Sequence, residues 1–313
     1  MRDAVRRLHD NITRVFMGHP EAVDRVVACL LARGHLLIED VPGVGKTVLA
    51  HAIARSVECD FTRIQLTPDL LPSDVLGVSV YDRDTGEFKL KRGPIFANIV
   101  LADEINRTTP RTQSALLEAM SEASVSIDGT VIPLDPPFML IATQNPAEFE
   151  GTYPLPENQL DRFLMRTTIG YPGPEDELRV LRERPGLRAL PDLEPVLHRD
   201  DLITLQSAVD DVRTDDAILA YIVRFAAATR EAPELRLGLS PRGSLALAQA
   251  ARATAFLSGR DYVVPEDVTS NVAAVCAHRV IPAGGGHEFG TPGAAAAAER
   301  LLAEILDTVE SPA

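Results

Sequence analysis

The spacing of apolar residues changes character twice along the chain. Ala22, Val23, Val26, Val27, Leu30 and Leu31 recur at helical intervals, so residues 1–34 predict one or two amphipathic helices. Short apolar runs follow at 35–40, 61–66, 98–102 and 138–143. Each has the length of a strand buried on both faces. Helical patterns separate several of them, which predicts the parallel sheet of an α/β fold.

Between these units the period drops to two. Residues 78–90 alternate around Asp84-Thr85-Gly86, and residues 123–134 alternate around Asp128-Gly129. Both segments predict β-hairpins inserted into the α/β pattern. From about residue 171 Pro and Gly recur, and the segment reads as a helix ending in a linker. Helical, Ala-rich stretches then cover 200–212, 214–230, 241–258 and 265–279, the last opened by Pro265 and an acidic first turn. Residues 282–293 read as a flexible connection to a terminal helix near 294–309. The pattern divides the chain into an α/β domain, 1–183, and an all-helical domain, 184–313.

Composition narrows the class. A chain of 313 residues, 45% hydrophobic, can bury one large core and a smaller one. No apolar run reaches the roughly 18 residues of a membrane span, and residues 1–16 lack a signal peptide's apolar stretch, so a cytoplasmic protein without membrane insertion is expected. The three cysteines form no CxxC pair, and the seven histidines show no ligand spacing, so neither disulfides nor a transition-metal site is expected. A net charge of −14 and few aromatic residues argue against a nucleic-acid grip, although net charge averages over faces.

Three stretches carry chemistry. Asp40-Val41-Pro42-Gly43-Val44-Gly45-Lys46-Thr47 follows an apolar run and opens a helix at Val48. It matches the phosphate-binding pattern GxxxxGK(S/T) except that Asp40 replaces the first glycine. Gly43 and Gly45 allow backbone N–H groups to turn toward phosphates, which Lys46 can reach while Thr47 ligates Mg²⁺. The Asp40 side chain is expected to point away from the nucleotide. In the second stretch, residues 99–104, a buried strand ends in Asp103 and Glu104. Such a pair suits a metal-shell carboxylate and a general base, but acids after a strand also simply open helices. In the third, a strand runs into Asn145-Pro146. That Asn can sense a γ-phosphate or orient the lytic water, or it can be ordinary turn chemistry.

The stretches 39–47, 67–77, 93–120, 141–166 and 239–268 together resemble the MoxR family of AAA+ ATPases, with the motifs in family order from about residue 15 to 280. The resemblance implies a P-loop AAA+ core with a central parallel sheet and two inserted β-hairpins, followed by an all-α lid. It implies ATP and Mg²⁺ as cofactors. Nucleotide contacts would come from Asp40 through Val48 and from Asp103, and Mg²⁺ ligation from Thr47 and Asp103. Lys46 and Thr47 match the Walker A motif, Asp103 and Glu104 Walker B, Asn145 sensor 1, Arg162 an arginine finger and Arg242 sensor 2. Gln65 matches the strand residue that touches the Walker B glutamate. A surface salt bridge to Asp161 or Glu157 is the plainer role for Arg162. The hairpins would face a pore or top surface, with Tyr81, Phe88 and Lys91 as candidate client contacts.

The resemblance further implies a hexameric ring of identical subunits that remodels a protein client with a partner carrying a von Willebrand factor A domain. A magnesium-chelatase-like ATPase subunit, a motor of the minichromosome-maintenance type and a non-hydrolysing nucleotide switch are the alternatives. DNA-stimulated turnover would distinguish the second, and the intact Asp103, Glu104, Asn145 and Arg162 speak against the third.

Overall fold

The computed structural model describes residues 2–145, 151–283 and 292–312. The first helical pattern resolves into two helices, α1 (Arg2–Thr13) and α2 (Pro20–Leu31), with Gly18 between them. The four apolar runs become strands β1 (Leu36–Glu39), β2 (Phe61–Gln65), β5 (Ile99–Asp103) and β8 (Met139–Gln144), with α3 (Lys46–Ser56) joining the first two. Between β2 and β5 lie α4 (Pro72–Leu76) and the hairpin β3 (Gly77–Asp82) and β4 (Glu87–Arg92). Between β5 and β8 lie α5 (Pro110–Glu122) and the hairpin β6 (Ser124–Ile127) and β7 (Thr130–Pro133). After the short helix α6 (Glu157–Leu160), a fifth sheet strand, β9 (Met165–Thr167), falls where the apolar pattern marks none.

All five strands pair parallel in the order β2-β5-β8-β1-β9. Alternate side chains feed two cores, as the strand period of two requires. Leu36, Ile38, Ile99, Leu101 and Ile141 join the core built with α1, α2, α3 and the C-terminal helices. Leu37, Val100, Ala102, Leu140 and Ala142 join the core built with α5 and the hairpins. Strands flanked by two apolar layers need unbroken hydrophobic runs, which is why β1, β5 and β8 were legible.

Both hairpins follow from local chemistry. Asp128 (φ 50°) and Gly129 (φ 80°) are both left-handed, the two-residue turn that matches strand twist. At the base of the first hairpin the backbones approach closely: a Cβ on Gly77 (φ 102°) would lie 2.3 Å from the Lys91 carbonyl, and one on Gly93 2.3 Å from the Val75 carbonyl. Only glycine fits either position.

The C-terminal half contains α7 (Pro174–Glu183), α8 (Pro185–Arg188), α9 (Arg199–Asp210), α10 (Asp216–Glu231), α11 (Pro241–Leu257), α12 (Pro265–Thr269), α13 (Val272–Cys276) and α14 (Pro292–Asp307). The helix expected over 265–279 is therefore two. The Asn271 side chain donates to the Asp267 carbonyl (2.7 Å) and to the Thr254 hydroxyl (2.8 Å), so it competes with the helical backbone bond at that point. Two short antiparallel strands, β10 (Leu235–Leu237) and β11 (Ile281–Pro282), also lie within the segment expected to be all helical. Most of the connection read at 282–293 lies outside the described residues. Among those described, no helix is long and apolar enough to cross a membrane, and no group of three His, Cys, Asp or Glu could hold a metal ion.

His35, just ahead of β1, makes the packing pH-sensitive. Its Nε2 donates to the Met120 carbonyl (3.0 Å) and its Nδ1 accepts the Leu140 N–H (3.0 Å), so the ring is neutral and held as one tautomer. Burial pushes its pKa down to about 4. The unfolded chain takes a proton near pH 6.5 that the fold refuses until about 4, so His35's contribution is full above that window and lost through it. We expect a loss of roughly 1.4 kcal/mol per pH unit from this residue. His278, buried beside Arg279, is lowered in the same direction. Urea unfolding between pH 7 and pH 4 checks this: His35→Leu should flatten the slope, and an unchanged slope would contradict it.

Candidate nucleotide site

The loop between β1 and α3 has the backbone that a phosphate cradle needs. Gly43 (φ 90°) and Gly45 (φ 92°) are left-handed. A Cβ on Gly43 would meet nothing within 4 Å, while one on Gly45 would lie 3.2 Å from the Phe16 ring, so the loop is open on one side and walled on the other. Gly45 is also the N-cap of α3, and no side chain caps that end. The first-turn N–H groups, with the positive end of the helix dipole, therefore face the mouth of the loop. Val48 packs toward Gly186 of α8.

The Asp40 carboxylate is spent on backbone N–H groups. Oδ1 accepts the Val41 N–H (2.8 Å), and Oδ2 accepts those of Ile169 and Gly170 (2.7 Å each), tying the loop to the chain after β9. Its backbone carbonyl accepts from Lys46 Nζ at 2.6 Å. Burial lowers the Lys46 pKa, and Asp40, Asp103 and Glu104 oppose that shift. The ammonium thus lies within electrostatic reach of both carboxylates at the end of β5.

Parallel register gathers the other residues. Glu39 pairs with Gln144, Ala102 with Ala142, and Gln65 with Asp103, so the carboxyl ends of β1, β8, β5 and β2 meet along one edge. This is where open α/β sheets bind ligands. Asn145 follows Gln144 there and is buried. Asp103 Oδ1 accepts the Thr143 hydroxyl at 2.5 Å, and that hydroxyl accepts the Glu104 N–H at 2.9 Å. Glu104 itself is left-handed (φ 60°), a conformation costly for a non-glycine residue and concentrated at functional sites. Its Oε2 accepts from Gln65 Nε2 (2.9 Å) and pairs with Arg107 Nε (3.1 Å). Pro146 and the four residues after it lie outside those described.

Two arginines lie apart from this edge, near one another. Arg162 makes neither of the salt bridges that its neighbours offer: Asp161 pairs with Arg279 (2.7 Å) and Glu157 with Arg236 (3.8 Å). Arg162 Nη1 donates to the Leu117 carbonyl at 2.5 Å, and its buried Nε has no acceptor among the described residues. A buried donor left open costs stability, which suits a side chain that moves to another acceptor. Arg242 is exposed in the first turn of α11. The N-cap of that helix, Ser240, hydrogen-bonds Asp161 (3.4 Å), and Arg242 lies close enough to Arg279 to oppose its charge. Arg279 is buried and also donates to the carbonyls of Phe163 (2.6 Å) and Leu164 (3.1 Å). The start of α11 and the turn carrying Arg162 are therefore tied at Asp161.

The sequence assigns no functional role to Arg63, Arg107, Thr143 or Arg279. Arg63 and Gln65 share a face of β2 at a separation of two, a weak signal that only the pairing with β5 makes specific. Tyr81 and Phe88 meet edge to face across the first hairpin (5.4 Å) and are half or more exposed.

Comparison with known proteins agrees with this geometry. The model of the ATPase family associated with various cellular activities (AAA) matches residues 35–165, and that of the AAA lid domain matches 227–299. The chain is 53% identical to the uncharacterized protein YeaC of Bacillus subtilis, over 87% of this chain and 85% of that one. It is 43% identical to the chaperone MoxR1 of Mycobacterium tuberculosis, over 86% of this chain and 74% of that one. A crystal structure from Cytophaga hutchinsonii, named as a candidate ATPase, superposes with a TM-score of 0.89 at 36% identity, covering 100% of this chain and 96% of that one. A phosphate cradle set against two strand-end carboxylates, in a chain this similar to MoxR1, places the protein in the MoxR family of AAA+ ATPases.

Proposed function

We propose that this ATPase uses Mg²⁺-ATP, is assembled as a ring (a hexamer in our reading) in the cytoplasm, and remodels or activates a protein client together with a partner carrying a von Willebrand factor A domain. The observation that carries the nucleotide chemistry is the convergence of Lys46, at an uncapped helix start, with Asp103 and Glu104 at the end of β5. Similarity to a protein named as a chaperone supports the remodelling role. We place the boundary between core and lid after residue 183, between α7 and α8.

In this reading the N–H groups of 43–48 and the Lys46 ammonium hold the β- and γ-phosphates. The Thr47 hydroxyl and Asp103 carboxylate are hard oxygen donors, the class that Mg²⁺ takes. Held there, the ion would supply positive charge that offsets the negative charge developing on the phosphates. Glu104 accepts the proton of the attacking water, and Asn145 holds that water or the γ-phosphate. Arg162 addresses the nucleotide of a neighbouring copy, and Arg242, in the helix start that Ser240 ties to Asp161, addresses that nucleotide or its own subunit's.

Lys46→Ala should abolish nucleotide binding, as read by titration of a fluorescent ATP analogue. Tight binding by that variant would remove Lys46 from the site. Steady-state turnover measured with DNA, and with a von Willebrand factor A domain protein, tests the client class. Stimulation by DNA alone would favour a nucleic-acid motor instead.

A further inference from the structure

Asp103, the carboxylate assigned above to the metal shell, is already held. Arg63, on the edge strand β2, donates to its Oδ2 through both Nε (3.1 Å) and Nη2 (2.6 Å). Nη2 also donates to Gln65 Oε1 at 2.8 Å. A guanidinium can only donate, so Arg63 decides which end of the Gln65 amide faces it. Oε1 must point to Arg63, and Nε2 is left to donate to Glu104 Oε2 at 2.9 Å. One cation thus grips the metal carboxylate directly and the general base through one intervening amide.

We propose that Arg63 is a clasp that competes with the divalent cation for Asp103, so that metal entry also releases Gln65 from its hold on Glu104. Arg63 is a positioning residue, acting through Asp103 and Gln65. The geometry favours competition over support. Arg63 places two donors on Oδ2, whereas Thr143 places one on Oδ1, so a cation that binds through Oδ2 must displace Arg63. The Arg63 side chain is 47% exposed, so its pair with Asp103 is partly screened by solvent and can be opened by a stronger cation. Gln65 and Glu104 are coupled to this exchange because the amide loses one of the two partners that fix its orientation, the other being the Glu104 carboxylate. The inference rests on the reading of Asp103 as a metal ligand.

The test titrates Mn²⁺ into the full chain saturated with ADP, counting free Mn²⁺ by electron paramagnetic resonance. Arg63→Gln and Arg63→Ala should bind Mn²⁺ about threefold to tenfold more tightly than wild type, and Arg63→Lys should fall between. Affinity for ADP without divalent cation should not change. The Gln65 side-chain amide resonance, assigned by its loss in Gln65→Ala, should shift when Mg²⁺ is added to the wild type and already be shifted in Arg63→Gln. Unchanged or weaker Mn²⁺ binding in the Arg63 variants, or an unmoved Gln65 resonance, overturns the clasp. Asp103→Asn separates the two readings. If it keeps wild-type Mn²⁺ affinity, Asp103 is not the metal ligand; if it loses affinity while the Arg63 variants match wild type, only the clasp fails.

Discussion

Arg162→Ala should bind ATP as the wild type does and lose turnover by about 10³-fold, the lower end of what a cation supplied in trans contributes to phosphoryl transfer. The expectation rests on where Arg162 is and on what it lacks. It sits at the turn after α6, tied by Asp161 to the start of α11, and its buried Nε has no acceptor among the described residues. A side chain built for its own subunit's stability would take the carboxylate beside it, but Asp161 is committed to Arg279. Steady-state hydrolysis against protein concentration reads the effect. Turnover per subunit should rise with concentration in the wild type and stay flat and low in Arg162→Ala. Equal, concentration-independent turnover in both would mean complete sites within single chains, and the shared-site reading would be abandoned.

Glu104→Gln should bind ATP and hydrolyse it about 10²- to 10⁴-fold more slowly, the usual worth of a positioned general base. The amide keeps the shape of the carboxylate and its contacts with Thr143 through the backbone, but it cannot accept a proton. Assembled particles should therefore accumulate with ATP bound, which size-exclusion chromatography with retained nucleotide would detect. Wild-type turnover would assign the water to another group. Mixing Glu104→Gln with Arg162→Ala subunits joins the two expectations. A shared site pairs an intact Glu104 from one variant with an intact Arg162 from the other, so some turnover should return, and none at any ratio would count against the trans arrangement.

The glycine loop between β1 and α3, the strand ending in Asp103-Glu104 and both hairpins could be read from the residues because each rests on contiguous chemistry. A glycine pair sets the loop's backbone, an unbroken apolar run marks a strand covered on both faces, and Asp128-Gly129 dictates a two-residue turn. Asp40 was legible as a departure from the loop pattern, but its use was not, since the N–H groups of Ile169 and Gly170 that its carboxylate accepts come from 129 and 130 residues away. The strand Met165–Thr167 escaped notice because three residues carry no period. It is a strand only because β1 offers a free edge beside it.

The amino-acid sequence by itself determined the nucleotide chemistry, the α/β order of the core and the helical character of the C-terminal half, since all three depend on residues close together along the chain. Only the tertiary structure decided how these parts act on one another. The grip of Arg63 on Asp103, the Thr143 hydroxyl beside it and the link from Arg279 to Asp161 are pairings between residues 40 to 118 positions apart. They arise from strand register and helix packing, and no local spacing records which distant side chain a donor will meet.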